Sequence, residues 1–324
     1  MSKGVVVFDL DLTLGDFRVI DYFGLIYEPT LIAGRDVKTK DTRSRDIQLW
    51  NNYYDINIGK YLLELRNTFE NKFHAEKQFI NRILRPDLKK ILETLVQAYK
   101  KNKIEKFIIY SNNSSMYSLQ YAGREINRMF DTEIDFIYID RTSELRDEFD
   151  GDITGARTKT IKTIEKVINH SIKDKDLIFF DDMIPKHEDF DRFLKGTNNY
   201  INIVPYYSEI KDDELESIWN IFEEEFTKLL QKYFIEFSEL THIITKLQAN
   251  NLDELKNKYM EFSRLRAPFI EYNSEDKINN IIIEQIKPYI YSKHSSGRKK
   301  KRTRKIKHRY TKRIRNYTEE SDLS

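Results

Sequence analysis

Five short apolar runs punctuate the chain, at residues 5–8, 107–110, 134–139, 177–180 and 200–204. Several are near-continuous rather than alternating, the pattern of strands buried on both faces of a parallel sheet. Helical periods lie between them. Leu88, Ile91, Leu92, Leu95 and Val96 share one face of a helix that begins near Arg85-Pro86-Asp87, where a first turn accommodates proline. Ile161, Ile164, Val167 and Ile168 share another. Strands alternating with helices predict an α/β fold, a doubly wound, Rossmann-like and mostly parallel sheet.

Two additions break that rhythm. A helical insert follows the first strand and occupies residues 28–83. It opens with a mixed-charge run at 41–46, continues through Trp50, Tyr53, Tyr54 and Tyr61, and has helical spacing from Ile58 to Ile83. Its position suits a cap over a site as well as a plain helical insertion. At the other end, Asp212-Asp213 read as the cap of an amphipathic helix striped with Leu215, Ile218, Trp219, Phe222, Phe226 and Leu229. Such a stripe is core packing. Residues 235–290 read as further helices with a hairpin around Asn250-Asn251. The division expected is therefore a core of 1–27 and 84–228, an insert of 28–83, a helical C-terminal extension of 229–293 and a tail of 294–324.

The polar residues that end the apolar runs carry the candidate chemistry. Val5-Val6-Val7-Phe8 runs into Asp9-Leu10-Asp11-Leu12-Thr13. Ligands of open α/β sheets bind beyond the carboxyl ends of the strands, so both acids belong in that crevice. An Asp-x-Asp alone is a weak signal, strengthened here by the polar groups that end the later runs. The second run ends in Ser111-Asn112-Asn113, a hydroxyl and backbone N–H groups at a strand-to-helix junction, which suits an anion. The fourth ends in Asp181-Asp182, suited to a hard, oxygen-preferring cation such as Mg2+. Residues 155–159, Gly-Ala-Arg-Thr-Lys, bring Lys159 to the start of a helix as a point charge for a phosphate, with Arg157 and Lys162 as its competitors. A carboxylate nucleophile, a second acid, a hydroxyl, a lysine and a metal-binding pair form the inventory of aspartate-based phosphoryl transfer.

That set resembles the haloacid dehalogenase superfamily of phosphatases, whose signature Asp9-Leu10-Asp11-Leu12-Thr13 matches. Within it the chain is most similar to the NLI-interacting-factor family, which includes the RNA polymerase II C-terminal-domain phosphatases. Arg85-Pro86-Asp87-Leu88 resembles that family's Arg-Pro-Gly-Leu, 117–122 its Tyr-Ala segment, and 155–159 its Gly-x-x-x-Lys. Asp181-Asp182 with Pro185 resembles its acidic motif, and 212–226 its closing helix. Phe179-Phe180-Asp181-Asp182 is also similar to the single-metal phosphatases with Phe-Phe-Asp-Asp. The resemblance implies Asp9 as nucleophile, forming an aspartyl-phosphate, and Asp11 as general acid and base. It implies Mg2+ on the Asp9 carboxylate, the Asp11 main-chain carbonyl and Asp182, with Asp181 acting through water. Ser111, Asn112 and Lys159 would hold the phosphate, with Thr13 ordering the first loop of that set. Two departures stand out: the long insert, and Ser111-Asn112-Asn113 in place of Thr-Ala-Ser. The implied activity is a Mg2+-dependent phosphomonoesterase acting on phosphoserine or phosphothreonine in a protein. A nucleic-acid-end or nucleotide phosphatase, and a non-catalytic scaffold on a relic fold, are the alternatives.

Charge distribution bears on partners. Net charge is +2, yet residues 298–315 hold 12 Lys or Arg and no acid, leaving 43 basic against 53 acidic side chains elsewhere. An acidic body with a basic, disordered tail is expected, the tail serving as a nucleic-acid or acidic-protein contact, as a nuclear-import signal or only as a solubilising tail. The absence of cysteine excludes disulfides and thiolate nucleophiles. The six histidines form no ligand-spaced pair. No apolar stretch reaches the roughly 18 residues of a membrane span, and the first strand starts too early for a signal peptide. The expectation is an intracellular protein without a membrane segment, with the nucleus reachable through the tail.

Overall fold

The structure is a computed structural model that describes residues 3–27 and 56–264, apart from 114, 142, 147–158, 174–175, 183–199, 204, 209 and 241–248. Outside the described residues lie the first half of the insert, Gly155 and Arg157, Pro185, the expected helices beyond 264, and the basic tail.

All five apolar runs form strands: β1 (Gly4–Phe8), β2 (Ile104–Tyr110), β3 (Phe136–Ile139), β4 (Leu177–Asp181) and β5 (Tyr200–Asn202). They make one sheet in the order β3-β2-β1-β4-β5, every pair parallel. β1 is central because every side chain from Val5 to Phe8 is apolar and can be covered from both faces; each is fully buried. Among the described residues the α-helices are α1 (Arg18–Tyr27), α2 (Ile56–Ala75), α3 (Lys77–Ile83), α4 (Leu88–Lys100), α5 (Met116–Phe130), α6 (Ile161–Ile168), α7 (Asp212–Tyr233) and α8 (Leu252–Arg264).

The two faces of the sheet are loaded unequally. Val6, Phe8, Phe107, Ile109, Ile178 and Phe180 face a core shared with every helix but α6. The alternate residues, Val5, Val7, Ile108, Tyr110, Leu177 and Phe179, face a smaller cluster closed by Ile161, Ile164, Val167 and Ile168 of α6. The strand period of two therefore sorts the core into two layers.

The second half of the insert belongs to the larger layer. Tyr61, Leu62, Leu65, Phe69 and Phe73 of α2 are buried, and α2 packs along α7. Phe23 of α1 joins these elements, with ring centroids 4.5 Å from Phe69, 4.9 Å from Phe222 and 5.3 Å from Tyr259. All six residues of the α7 stripe are buried. The helical spacing from Ile58 to Ile83 is interrupted at Glu76, between two helices rather than within one. Asp212 and Asp213 lie in the first turn of α7, and the cap is Lys211, whose N–H donates to Glu214 Oε2 at 2.9 Å. Acids in a first turn still complement the helix dipole. Asn250 and Asn251 precede α8, where Asn251 Oδ1 accepts from the Glu254 N–H at 2.9 Å. No described helix is long and apolar enough to cross a membrane.

One close approach fixes the loop after β1. A Cβ on Gly15 would stand 2.1 Å from the Ile83 carbonyl oxygen, whereas one on Gly4 meets nothing nearer than 3.7 Å. Gly15→Ala is therefore expected to lower unfolding free energy by about 1–3 kcal/mol, and Gly4→Ala by much less. Chemical denaturation of both variants tests the contrast, and equal losses would contradict it.

Candidate functional site

The strand order runs outward from β1 in both directions, so the chain reverses its winding there. The crevice at such a switch point is where an open sheet binds ligands. The Asp9 N–H donates to the Phe180 carbonyl at 2.9 Å, extending the β1–β4 ladder by one residue. That bond seats Asp9 beside Asp181. Ser111 lies just beyond β2, the other neighbour of β1, with its own N–H on the Ile139 carbonyl at 2.9 Å.

Lys159 reaches this edge from the residue before the Thr160 cap of α6. Thr160 Oγ1 accepts from the Thr163 N–H at 3.1 Å, and the Thr160 N–H donates to the Tyr110 hydroxyl at 3.2 Å. With α6 so anchored, the Lys159 ammonium stands 2.6 Å from Asp9 Oδ1 and 3.1 Å from Asp181 Oδ2, and the side chain is buried. Of its two competitors, Lys162 is exposed, and Arg157 lies outside the described residues.

Carboxylate oxygens of Asp9, Asp181 and Asp182 lie within 4.8 Å of one another. Three hard oxygen donors so close could hold a metal ion. Asp9, Asp181 and Asp182 could hold it through their carboxylates. The Asp11 carboxylate is outside this triad: its Oδ1 accepts from Asn113 Nδ2 at 3.4 Å. Thr13 is fully buried and donates from Oγ1 to Asp182 Oδ1 at 3.1 Å, tying the first loop to the metal-type acids.

The electrostatics arise first from burial and then from this crowding. Burial pushes the Asp9 carboxyl up to about 6; Lys159 opposes that rise and Asp182 adds to it. Burial, then the charges of Asp21 and Asp9, lift Asp11 well above the usual carboxylate range. Burial and the Asp181 charge raise Asp182. Burial works against the Lys159 ammonium, but the charges of Asp181 and Asp9 outweigh it and hold the lysine protonated.

The loop between Asp9 and Asp16 is braced from three sides. Leu12 adopts φ 60°, a left-handed conformation that disfavours a branched side chain. Its N–H donates to the Gly15 carbonyl at 2.7 Å, and its own carbonyl accepts from the Tyr206 N–H at 2.9 Å and from Arg85 Nη1 at 3.3 Å. The Arg85-Pro86-Asp87 helix start thus has a second task. Arg85 is buried, paired with Asp87 at 2.9 Å, and holds the loop. Asp16, also buried, receives Arg18 together with the N–H and hydroxyl of Ser208 at 3.1 and 3.0 Å.

Several side chains have contacts here that the sequence does not reveal. Asn113 Nδ2 donates to Asp21 at 3.0 Å as well as to Asp11, and Ser118 Oγ donates to Asp21. Tyr200, at the start of β5, hydrogen-bonds Asp181. Arg146 donates to the carbonyls of Asp140 and Ser111 and lies over the Tyr110 ring, fixing the backbone that presents the Ser111 hydroxyl. Their side-chain roles come from contacts between elements distant in the chain, which local pattern does not reveal.

Comparison of this chain with protein-family models, with curated proteins and with solved structures finds no match. What the fold and site define is a class: an α/β protein with a five-stranded, all-parallel, Rossmann-like sheet and an acidic cluster at its switch point.

Asp21 provides a pH test of this crowding. Burial raises its carboxyl to about 6, against the hydrogen bonds of Ser118 and Asn113. A carboxyl whose folded pKa exceeds its unfolded value binds more protons when folded. Stability is then full below the unfolded value and falls as pH rises from about 4 to about 6. In EDTA, Asp21→Asn should remove on the order of 2–3 kcal/mol from that fall. Denaturant midpoints between pH 4 and 7 measure it, and an unchanged slope would refute the assignment.

Proposed function

We propose that the chain is a Mg2+-dependent phosphomonoesterase of the haloacid dehalogenase type, similar to the C-terminal-domain phosphatases and acting on phosphoserine or phosphothreonine in a protein. The observation that carries this reading is the convergence at one sheet edge of Asp9, Lys159, Asp181 and Asp182, with Ser111 just beyond the adjoining strand. These residues are separated by up to 173 positions and share no local structure; a phosphoryl-transfer site gives one reason for gathering them.

In this reading Asp9 is the nucleophile. An Asp9 oxygen forms a bond to phosphorus as the ester oxygen leaves, giving an aspartyl-phosphate. Asp11 delivers its proton to that leaving oxygen, then takes one from the water that attacks phosphorus and frees Asp9. The Lys159 ammonium, 2.6 Å from Asp9, balances charge on the nucleophile and the transferring group. Ser111 Oγ accepts from the Asn113 N–H at 3.1 Å, which leaves its own hydrogen for a phosphate oxygen. Asn112 follows it in the same turn and supplies an N–H to the phosphate. A bound divalent cation would neutralise part of the phosphoryl charge. The intact set of acids speaks against a relic scaffold. The basic tail, an intracellular or nuclear setting, and a nucleic-acid contact through 298–315 remain part of the proposal on sequence grounds alone.

Hydrolysis of p-nitrophenyl phosphate with Mg2+ or EDTA tests the reading. Activity should require the cation, and Asp9→Asn should lose at least about 10^3-fold in kcat. Asp182→Asn should weaken Mg2+ binding, measured by calorimetry, at least about tenfold. Wild-type activity no greater than that of Asp9→Asn would sink the proposal.

A further inference from the structure

Asn113 is held at four points. Its N–H donates to Ser111 Oγ at 3.1 Å, and its carbonyl accepts from the Arg141 N–H at 2.9 Å. Its side-chain oxygen accepts from the Ser115 N–H at 2.7 Å. That last bond decides the amide's orientation, because a backbone N–H can only face the oxygen. The amide nitrogen is thereby aimed the other way, at two carboxylates. It stands 3.0 and 3.1 Å from the oxygens of Asp21 and 3.4 Å from Asp11 Oδ1.

Asp21 is equally constrained. It projects from the first turn of α1, and Ser118 of α5 donates to the same oxygen that Asn113 approaches. Ser118 is in turn fixed by Ser115, the cap of α5, whose Oγ accepts from the Ser118 N–H at 3.3 Å. α1 and α5 are pressed together here: a Cβ on Gly24 would stand 2.6 Å from Ser115 Oγ. The connection runs from the α1–α5 contact through Asp21 and Asn113 to Asp11. The joint at Asn113 also holds the Ser111 hydroxyl.

We propose that Asp21 and Asn113 are positioning residues that together hold the Asp11 carboxyl where it can pass its proton to the leaving oxygen. The inference rests on the phosphomonoesterase reading. The role asks neither residue to touch substrate. Asp21 gives the Asn113 amide its direction, and the second hydrogen of that amide holds Asp11. A donor held within a fraction of an ångström matters because small misplacements in a reacting geometry are costly. The 3.4 Å bond is long for N–H···O, and such contacts tighten when substrate is bound.

Leaving groups separate this role from a structural one. Departure of p-nitrophenolate scarcely needs a proton, whereas phenolate needs one more. Asp21→Ala should therefore lose about tenfold more kcat on phenyl phosphate than on p-nitrophenyl phosphate. Asp21→Asn, whose carbonyl oxygen still accepts from Asn113, should recover most of that difference. Asn113→Ala should reproduce the split, and the double variant should be no worse than either single one. If Asp21→Ala fails to fold, Asn113→Ala carries the same comparison. Equal losses on both esters, additive losses or no loss would overturn the inference while leaving the phosphatase reading intact. A wild-type protein inactive on both esters would overturn the two together.

Discussion

One buried ammonium among too many carboxylates governs this structure. Lys159 contacts Asp9 and Asp181, and Asp182 completes the triad. At the effective dielectric of a protein interior, a charge pair about 4 Å apart is worth about 4 kcal/mol. Desolvation costs several kcal/mol per ion. Among the described residues the lysine at the triad can offset about one of its three carboxylates. Such crowding can be relieved by protons, which burial first and neighbouring carboxylates second favour on Asp9 and Asp182, or by a cation.

The rest of the fold can be read as the support such a cluster requires. Two central strands, buried on both faces, bring Asp9 and Asp181 into register. Arg85, Tyr206 and Gly15 hold a leucine in a left-handed conformation between Asp11 and Thr13. Backbone strain of this kind persists where surrounding structure over-determines it. The helices on the larger face supply that surplus: the Phe23–Phe69–Phe222–Tyr259 nexus ties α1, α2, α7 and α8 into one core. α1 also carries Asp21, so the packing that stabilises the fold orients the acid side of the site.

The strands and strand-end acids were legible in the sequence because both arise from local pattern. An apolar run such as Val5-Val6-Val7-Phe8 fixes a strand, and its carboxyl end fixes where the next polar residue points. Lys159 was legible through its place at a helix start, though only the structure separates it from the exposed Lys162. Asp21, Tyr200, Arg146 and the side-chain contacts of Asn113 were not, since they arise between elements distant in the chain. Residues 56–83 are instructive for the same reason. Their helical period was visible, but amphipathicity alone cannot say what an apolar face packs against, and the face of α2 meets α7. The break at Glu76 has no proline or glycine to mark it.

The proposed chemistry places a covalent bond between phosphorus and Asp9. A single turnover with a phosphate ester and Mg2+, quenched in acid and mapped by peptide mass spectrometry, looks for that bond directly. The account predicts one phosphoryl group on the peptide containing Asp9, rising and decaying with product release and absent in Asp9→Asn. Product formed at full rate with no phosphoryl group ever found on Asp9 would contradict it.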